Sequence, residues 1–137
     1  MVDVGKGLRT YMRTILVVDD ESHITYILSS QLKRAGFSAV TASNGEEGCL
    51  AATVHRPDLI ITDFQMPRLS GLDMCMKLHQ QPQTSHIPVI MLTARGHRLT
   101  EQELSLTSIR AVETKPFSIR DLLAKSNELL GVGAHAA

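Results

Sequence analysis

Short runs of branched apolar residues alternate along the chain with stretches in which apolar residues recur every three or four positions. The runs are typical of buried strands, and the wider spacing indicates helices with one apolar face. The strand-like runs cover residues 15–18, 38–42, 59–61, 89–92 and 110–113, and helical stretches begin near Ser22, Gly45, Leu72, Glu101 and Ile119. Five such alternations predict a mostly parallel sheet with helices on both faces.

Glycine, proline and capping residues predict where several of these elements end. Gly36 ends the first helix, and Pro82 lies near the end of the third. Thr100 and Glu103 fit a capping box, which predicts a short fourth helix reaching about Thr107. The fifth strand is the most polar one, so we expect it at an edge of the sheet.

Length and composition fit one domain with one core. The chain has 137 residues, 43% of them hydrophobic, and its 14 basic residues balance its 14 acidic ones. This balance predicts no attraction to nucleic acid, and the apolar runs are too short to cross a membrane. We expect an N-terminal extension over 1–13, a domain over 14–130 and a flexible tail over 131–137. The extension has no apolar signal core, so a cytoplasmic location is expected.

Three carboxylates follow strand-like runs directly. Asp19 and Asp20 come after the first run, and Asp63 comes after the third. Open α/β sheets bind ligands at the carboxyl ends of their strands, so these side chains are expected to gather there. Clustered carboxylates need a cation, and a small set of oxygen ligands favours Mg²⁺. Lys115, after the fifth run, adds a positive charge, and the combination suggests phosphoryl chemistry.

Four motifs in this order resemble the receiver domain of two-component response regulators. They are Asp19-Asp20, Asp63 with Met66-Pro67 and Gly71, Thr93-Ala94, and Lys115-Pro116-Phe117. The resemblance covers about residues 14–130. It implies a flavodoxin-like (βα)5 fold, a doubly wound parallel sheet of five strands in the order 2-1-3-4-5.

The resemblance also implies roles for the site residues. Asp63 would accept a phosphoryl group from a histidine kinase or phosphotransfer protein, while Thr93 and Lys115 would contact the bound phosphoryl group. Pro116 would follow a cis peptide bond. The implied Mg²⁺ ligands are Asp19, Asp20, Asp63 and the backbone carbonyl of Gln65. Apart from this self-phosphorylation and its reversal, no enzyme activity is expected.

The sequence departs from the family pattern in the last third of the chain. Val112 stands where the family usually has an aromatic residue, and Ser108-Ile109 replaces the usual Gly-Ala. An alternative is therefore an interaction scaffold with the receiver fold but weak or no switching. Taken singly, each site residue also has an ordinary structural alternative. Asp20 could be only a helix cap, Asp63 could start a loop, Thr93 could bond to local backbone, and Lys115 could be solvated. The expected partners are the phosphodonor and an unidentified output protein. We expect no direct contact to nucleic acid or membrane, and we expect the protein to be a monomer or weak dimer.

Overall fold

The computed structural model describes residues 12–94 and 97–131. Strands and helices alternate strictly through this part of the chain. Their bounds are β1 (Thr14–Val18), α1 (Ser22–Arg34), β2 (Ser38–Ala42), α2 (Gly45–His55), β3 (Leu59–Asp63), α3 (Gly71–His79), β4 (Val89–Thr93), α4 (Glu101–Ser105), β5 (Ile109–Thr114) and α5 (Ile119–Leu130).

The five strands form one parallel sheet in the order β2-β1-β3-β4-β5. The flavodoxin-like fold predicted from the sequence is therefore confirmed. The chain leaves β1 toward β2 on one side and returns to β3 on the other, so the strand order reverses between β1 and β3. A crevice opens at such a reversal, outside the carboxyl ends of the strands.

Alternate residues of the central strands face two separate apolar layers. Because strand side chains alternate in direction, Leu16 and Val18 pack on the side of α2 and α3, whereas Ile15 and Val17 pack on the side of α1 and α5. Every residue of β3 and of β4 is buried. A sheet covered on both faces holds the carboxyl ends of its central strands in fixed positions.

Two helices end earlier than their sequence pattern predicts. α3 ends at His79 rather than near Pro82, and Thr84 then donates its hydroxyl to the Leu78 carbonyl at 2.7 Å. α4 ends at Ser105, two residues before the predicted limit, and Thr107 donates its hydroxyl to the Glu103 carbonyl at 3.0 Å. At α3 a further turn is prevented because the N–H that would bond to the Leu78 carbonyl belongs to residue 82, which is a proline without this donor. At α4 the Thr107 hydroxyl bonds to the Glu103 carbonyl, which the Thr107 N–H would have used in a longer helix.

Other sequence expectations agree with the structure. β5 lies at the sheet edge, and the Lys115–Pro116 peptide bond is cis. The proposed tail beyond Gly131 and nearly all of the N-terminal extension lie outside the described residues. Among the helices of the described segments, none has the length and apolarity needed to span a membrane.

Candidate functional site

The predicted site residues lie at the carboxyl edge of the sheet. Asp63 is the last residue of β3 and Thr93 the last of β4, while Asp19 follows β1 and Lys115 follows β5. Backbone hydrogen bonds fix the flanking positions: the Asp19 N–H donates to the Ala42 carbonyl at 3.1 Å, and the Lys115 N–H donates to the Thr93 carbonyl at 2.8 Å. Backbone pairing between neighbouring strands therefore continues one residue past β1 and β5, and it positions the side chains of Asp19 and Lys115.

Asp19, Asp20 and Asp63 form a compact acidic cluster. One carboxylate oxygen from each residue lies within 4.8 Å of the corresponding oxygens of the other two. Asp19 and Asp63 are buried, whereas Asp20 is exposed. Asp20 is not the cap of α1, because the N-cap residue is Glu21. The helix-cap alternative for Asp20 is therefore wrong.

Lys115 supplies the positive charge beside this cluster. Its ammonium nitrogen lies 3.2 Å from Asp63 Oδ1 and 3.4 Å from Asp19 Oδ2. The Lys115 side chain is partly buried, so water screens these pairs less than it screens pairs at an open surface. One ammonium thus bridges the two buried carboxylates, and the alternative of a freely solvated Lys115 does not apply.

The electrostatic cost of this arrangement appears in the pKa values of its members. Burial raises the pKa of Asp63, and the nearby charge of Asp19 raises it further, against the opposite effect of Lys115. Burial likewise raises the pKa of Asp19, which Lys115 only partly offsets. Burial alone would lower the pKa of Lys115, but attraction to Asp19 and Asp63 outweighs it and raises this pKa. The two buried carboxylates therefore favour additional positive charge.

Thr93 is fully buried, and its hydroxyl oxygen has no hydrogen-bond partner within the described segments. Buried hydroxyls are usually paired, because an unpaired one costs free energy. The alternative that this hydroxyl satisfies local backbone is not supported by the structure. An unpaired hydroxyl donor at the end of β4 suits a ligand with acceptor oxygens.

A glycine keeps the backbone of the acidic residue in place. The N–H of Gly71 donates to the Phe64 carbonyl at 2.9 Å. A Cβ at Gly71 would overlap the Asp63 carbonyl oxygen and lie 3.2 Å from the Cα of Phe64. The β3–α3 loop therefore closes tightly over the end of β3 only because residue 71 has no side chain.

Two further residues of this region were missed by the sequence analysis. Glu21 places its carboxylate 3.9 Å from the Lys115 ammonium, and its N–H donates to Asp19 Oδ1 at 2.9 Å. The adjacency of Glu21 to the aspartate pair was the available signal. His97 places its ring 4.2 Å from that of Phe64, in a tilted arrangement. No sequence spacing indicates that contact, because the two rings come from loops far apart in the chain.

The remaining predicted positions lie around this centre. Gln65 is an exposed residue of the loop after β3, and Ala94 is exposed after β4. Val112 is 42% exposed on β5. Ser108, one of the departures from the family pattern, contacts His79 Nδ1 at 3.2 Å and donates to the Ser85 carbonyl. The serine thus connects the end of α3 to the start of β5, at the edge of the sheet away from the site.

A parallel sheet in this order, with an acidic cluster at the carboxyl ends of β1 and β3 and a lysine after β5, defines the receiver class of signalling domains. The family profile described as response regulator receiver domain matches residues 15–127, so the chain belongs to this family.

Among relatives, the alkaline phosphatase synthesis transcriptional regulatory protein PhoP of Bacillus subtilis is 37% identical over 118 residues, covering 86% of this chain and 48% of PhoP. The chain thus spans about half the length of the curated relatives it matches.

Solved structures agree with this family. The chemotaxis response regulator CheY4 of Vibrio cholerae is 30% identical with a TM-score of 0.79, covering 87% of this chain and 99% of CheY4. The response regulator TrrA of Thermotoga maritima, solved in complex with Mg²⁺ and BeF, is 31% identical with a TM-score of 0.75, covering 86% of this chain and 99% of TrrA.

Proposed function

We propose that this chain is a phosphorylation-switched signalling module. Asp63 accepts a phosphoryl group, with Mg²⁺ present, from a histidine kinase or a phosphotransfer protein. The modified domain then changes its affinity for a partner protein. The receiver unit in this proposal covers residues 14–130.

The observation that carries this proposal is the composition of the site around Asp63. Two further carboxylates lie within 4.8 Å, an ammonium lies 3.2 Å away, and the strand beside β3 ends in a buried hydroxyl without a partner among the described residues. Metal-binding acids, a fixed cation and a hydroxyl donor are the groups that phosphoryl transfer needs around an accepting oxygen.

In the proposed step, an Asp63 carboxylate oxygen attacks the phosphorus of a phosphohistidine. The O–P bond forms as the P–N bond breaks, and the leaving imidazole nitrogen keeps the electron pair and takes a proton from solvent. The product is an acyl phosphate on Asp63. Lys115 offsets charge on the equatorial oxygens, and Thr93 donates its hydroxyl to one of them.

The donor set fits Mg²⁺. Carboxylates from Asp19, Asp20 and Asp63, with the Gln65 backbone carbonyl, would hold the ion, whose remaining positions suit water and a phosphoryl oxygen. When bound, Mg²⁺ neutralises charge that develops on the transferred group. Burial raises the pKa values of Asp19 and Asp63, and Lys115 only partly offsets this effect, which supports a site for a further cation beside them.

Mass spectrometry of the intact protein tests this function. Incubation with acetyl phosphate and Mg²⁺ should add one phosphoryl group, and Asp63→Asn should prevent the addition. The adduct should be removed by hydroxylamine, because that nucleophile cleaves acyl phosphates. An adduct that resists hydroxylamine or persists in Asp63→Asn would place the acceptor elsewhere and reject the proposal.

Titration with Mg²⁺ tests the proposed ligands separately. Asp20→Asn should weaken Mg²⁺ binding markedly, because the ion has few protein ligands. Asp73→Asn, at an exposed position of α3, serves as a control of equal charge and should leave binding unchanged. Equal affinities for the wild type and Asp20→Asn would remove Asp20 from the ligand set.

A second candidate is an interaction scaffold that binds partners regardless of phosphorylation. The exposed and short Val112 side chain favours it, since the family usually has an aromatic residue there. Phosphorylation that proceeds normally while partner affinity stays constant would select the scaffold. We propose a protein as the output partner in either case, with no direct contact to nucleic acid.

A further inference from the structure

Glu21 lies at the start of α1 but does not act as a side-chain cap. The other helices with a described cap begin at a residue whose side chain accepts a backbone N–H, namely Asn44, Ser70, Thr100 and Ser118. Glu21 has the extended backbone of an N-cap residue, yet its side chain makes no capping hydrogen bond. Its carboxylate is therefore available for another role.

Two contacts connect Glu21 to the acidic site. Its backbone N–H donates to Asp19 Oδ1 at 2.9 Å, and its carboxylate oxygen lies 3.9 Å from the Lys115 ammonium. Lys115 thus faces three carboxylates. Two of them, on Asp19 and Asp63, are buried, while the Glu21 side chain is 53% exposed.

These contacts create a competition at the site. Lys115 and a divalent cation draw on the same carboxylates, those of Asp19 and Asp63. A cation that binds there must displace the ammonium at least in part, which costs free energy unless the ammonium has another acceptor. An ammonium has three donors and can turn toward a different carboxylate. Glu21 offers that carboxylate at the outer side of the site.

We propose that Glu21 is a positioning residue for Lys115. Its carboxylate receives the Lys115 ammonium when a divalent cation takes Asp19 and Asp63, and it thereby assists Mg²⁺ binding without being a ligand. This inference rests on the Mg²⁺ site of the proposed function and adds a residue that regulates it.

A double-mutant cycle on Mg²⁺ affinity tests the inference without any phosphoryl transfer. An exposed ion pair contributes up to about 1 kcal/mol, so Glu21→Gln should weaken Mg²⁺ binding by about two- to five-fold. In a Lys115→Ala background no ammonium has to be displaced, and the same substitution should have a clearly smaller effect. Lys115→Met provides a second background with a similar side-chain volume, in case Lys115→Ala does not fold.

The control is Glu128→Gln, which removes one negative charge near the end of α5. That end of α5 lies at the amino ends of the strands, away from the site, where Arg13 donates to the Leu130 carbonyl at 3.2 Å. Its Mg²⁺ affinity should match the wild type. If Glu21→Gln lowers the Mg²⁺ affinity by the same factor with and without Lys115, Glu21 acts only through its charge at a distance, and the inference is overturned. This outcome does not depend on whether Asp63 is phosphorylated.

A kinetic measurement separates positioning from chemistry. With acetyl phosphate, Glu21→Gln should raise the Mg²⁺ concentration for half-maximal phosphorylation by the same two- to five-fold, about the effect of one exposed ion pair. The rate at saturating Mg²⁺ should equal that of the wild type. A reduced maximal rate at an unchanged midpoint would overturn the inference, because Glu21 would then act on the transfer itself.

Discussion

At the scale of single residues, the groups that the proposed chemistry needs are also groups that lower the stability of the folded protein. Two carboxylates are buried beside each other with one shared ammonium, and a buried threonine hydroxyl has no partner within the described residues. A protein selected only for stability would avoid each of these features. Substitutions at these positions should therefore separate stability from function.

Asp63→Asn should stabilise the protein at neutral pH when Mg²⁺ is absent. Burial, assisted by the charge of Asp19, raises the pKa of Asp63, so this carboxyl binds more protons in the folded than in the unfolded chain. The free energy of unfolding therefore falls as pH rises from about 3.9, the unfolded pKa, through the raised folded pKa. Removing the charge should therefore raise the free energy of unfolding at pH 7, by about 0.5–2 kcal/mol as stabilising substitutions commonly do.

Urea unfolding of the wild type and Asp63→Asn across pH measures this difference. It should shrink below pH ~4, where the wild-type carboxyl is protonated in both states. Excess Mg²⁺ should stabilise the wild type more than the variant, because binding to the folded state adds to stability. Asp121→Asn, at an exposed position, should show no gain. A wild type more stable than Asp63→Asn at pH 7 without Mg²⁺ would contradict the electrostatic account.

Gly71→Ala should damage both the fold and the site. The added methyl group would meet the Asp63 carbonyl and the Phe64 Cα, which are backbone atoms that cannot rotate away. We expect a loss of about 2 kcal/mol or more, together with weaker Mg²⁺ binding because Asp63 must shift.

Gly48→Ala is the matched control for that substitution. A methyl group there would meet the Met74 sulfur at 2.5 Å and both Val18 methyl groups at 3.2 Å. These are all side-chain atoms, and the flexible methionine can adjust most easily. Alanine also favours helix over glycine by about 1 kcal/mol. Thermal unfolding and Mg²⁺ titration of both variants give the comparison. A Gly48→Ala protein less stable than Gly71→Ala would show that the clash with the Asp63 backbone is not decisive.

At the scale of elements, the sequence predicted all ten elements and their order, because strands buried on both faces give continuous apolar runs. The gathering of Asp19, Asp20 and Asp63 followed from the same reasoning, since their strands end at one edge. Helix ends were harder to predict, as α3 and α4 show, because threonine hydroxyls bonded to helix carbonyls leave no hydrophobic pattern. The role of Glu21 could not be predicted from the sequence, because acidic residues are common at the start of helices.

Thr100→Ala should unfold α4 locally while the rest of the domain stays folded. α4 has five residues and buries none of them, so its stability depends on the capping box between Thr100 and Glu103. Loss of a cap costs about 0.5–2 kcal/mol, which is enough to melt a helix without packing. Cα chemical shifts and amide exchange over Glu101–Ser105 report the change.

Ser118→Ala removes the equivalent cap from α5 and serves as the comparison. α5 has twelve residues and buries Leu122, Ser126 and Leu130, so it should keep its helical shifts. Helical shifts that persist at α4 in Thr100→Ala would mean that packing, and not the cap, maintains this helix.

At the scale of the whole molecule, β5 and α4 form a side of the domain with little burial. β5 is an edge strand with alternating partial exposure, and Leu104, Leu106 and Val112 are exposed there. β5 pairs with β4, whose last residue is Thr93, so a movement of Thr93 can reach this side directly. In the family an aromatic residue on β5 usually fills the space that the threonine leaves, and valine is too short to do so.

We therefore predict a muted rearrangement on phosphorylation. Beryllofluoride with Mg²⁺, as a mimic of the phosphoryl group, should shift NMR signals mainly in the loops after Asp63 and Thr93. Changes on α4 and β5 should be small, and dimerisation through that face weak or absent. Val112→Tyr should enlarge the shifts across α4 and β5, because it restores a ring that can move into the vacated space. Large shifts from Thr100 through Val112 into α5 in the wild type, with a concentration-dependent dimer, would show that the signal travels without an aromatic residue.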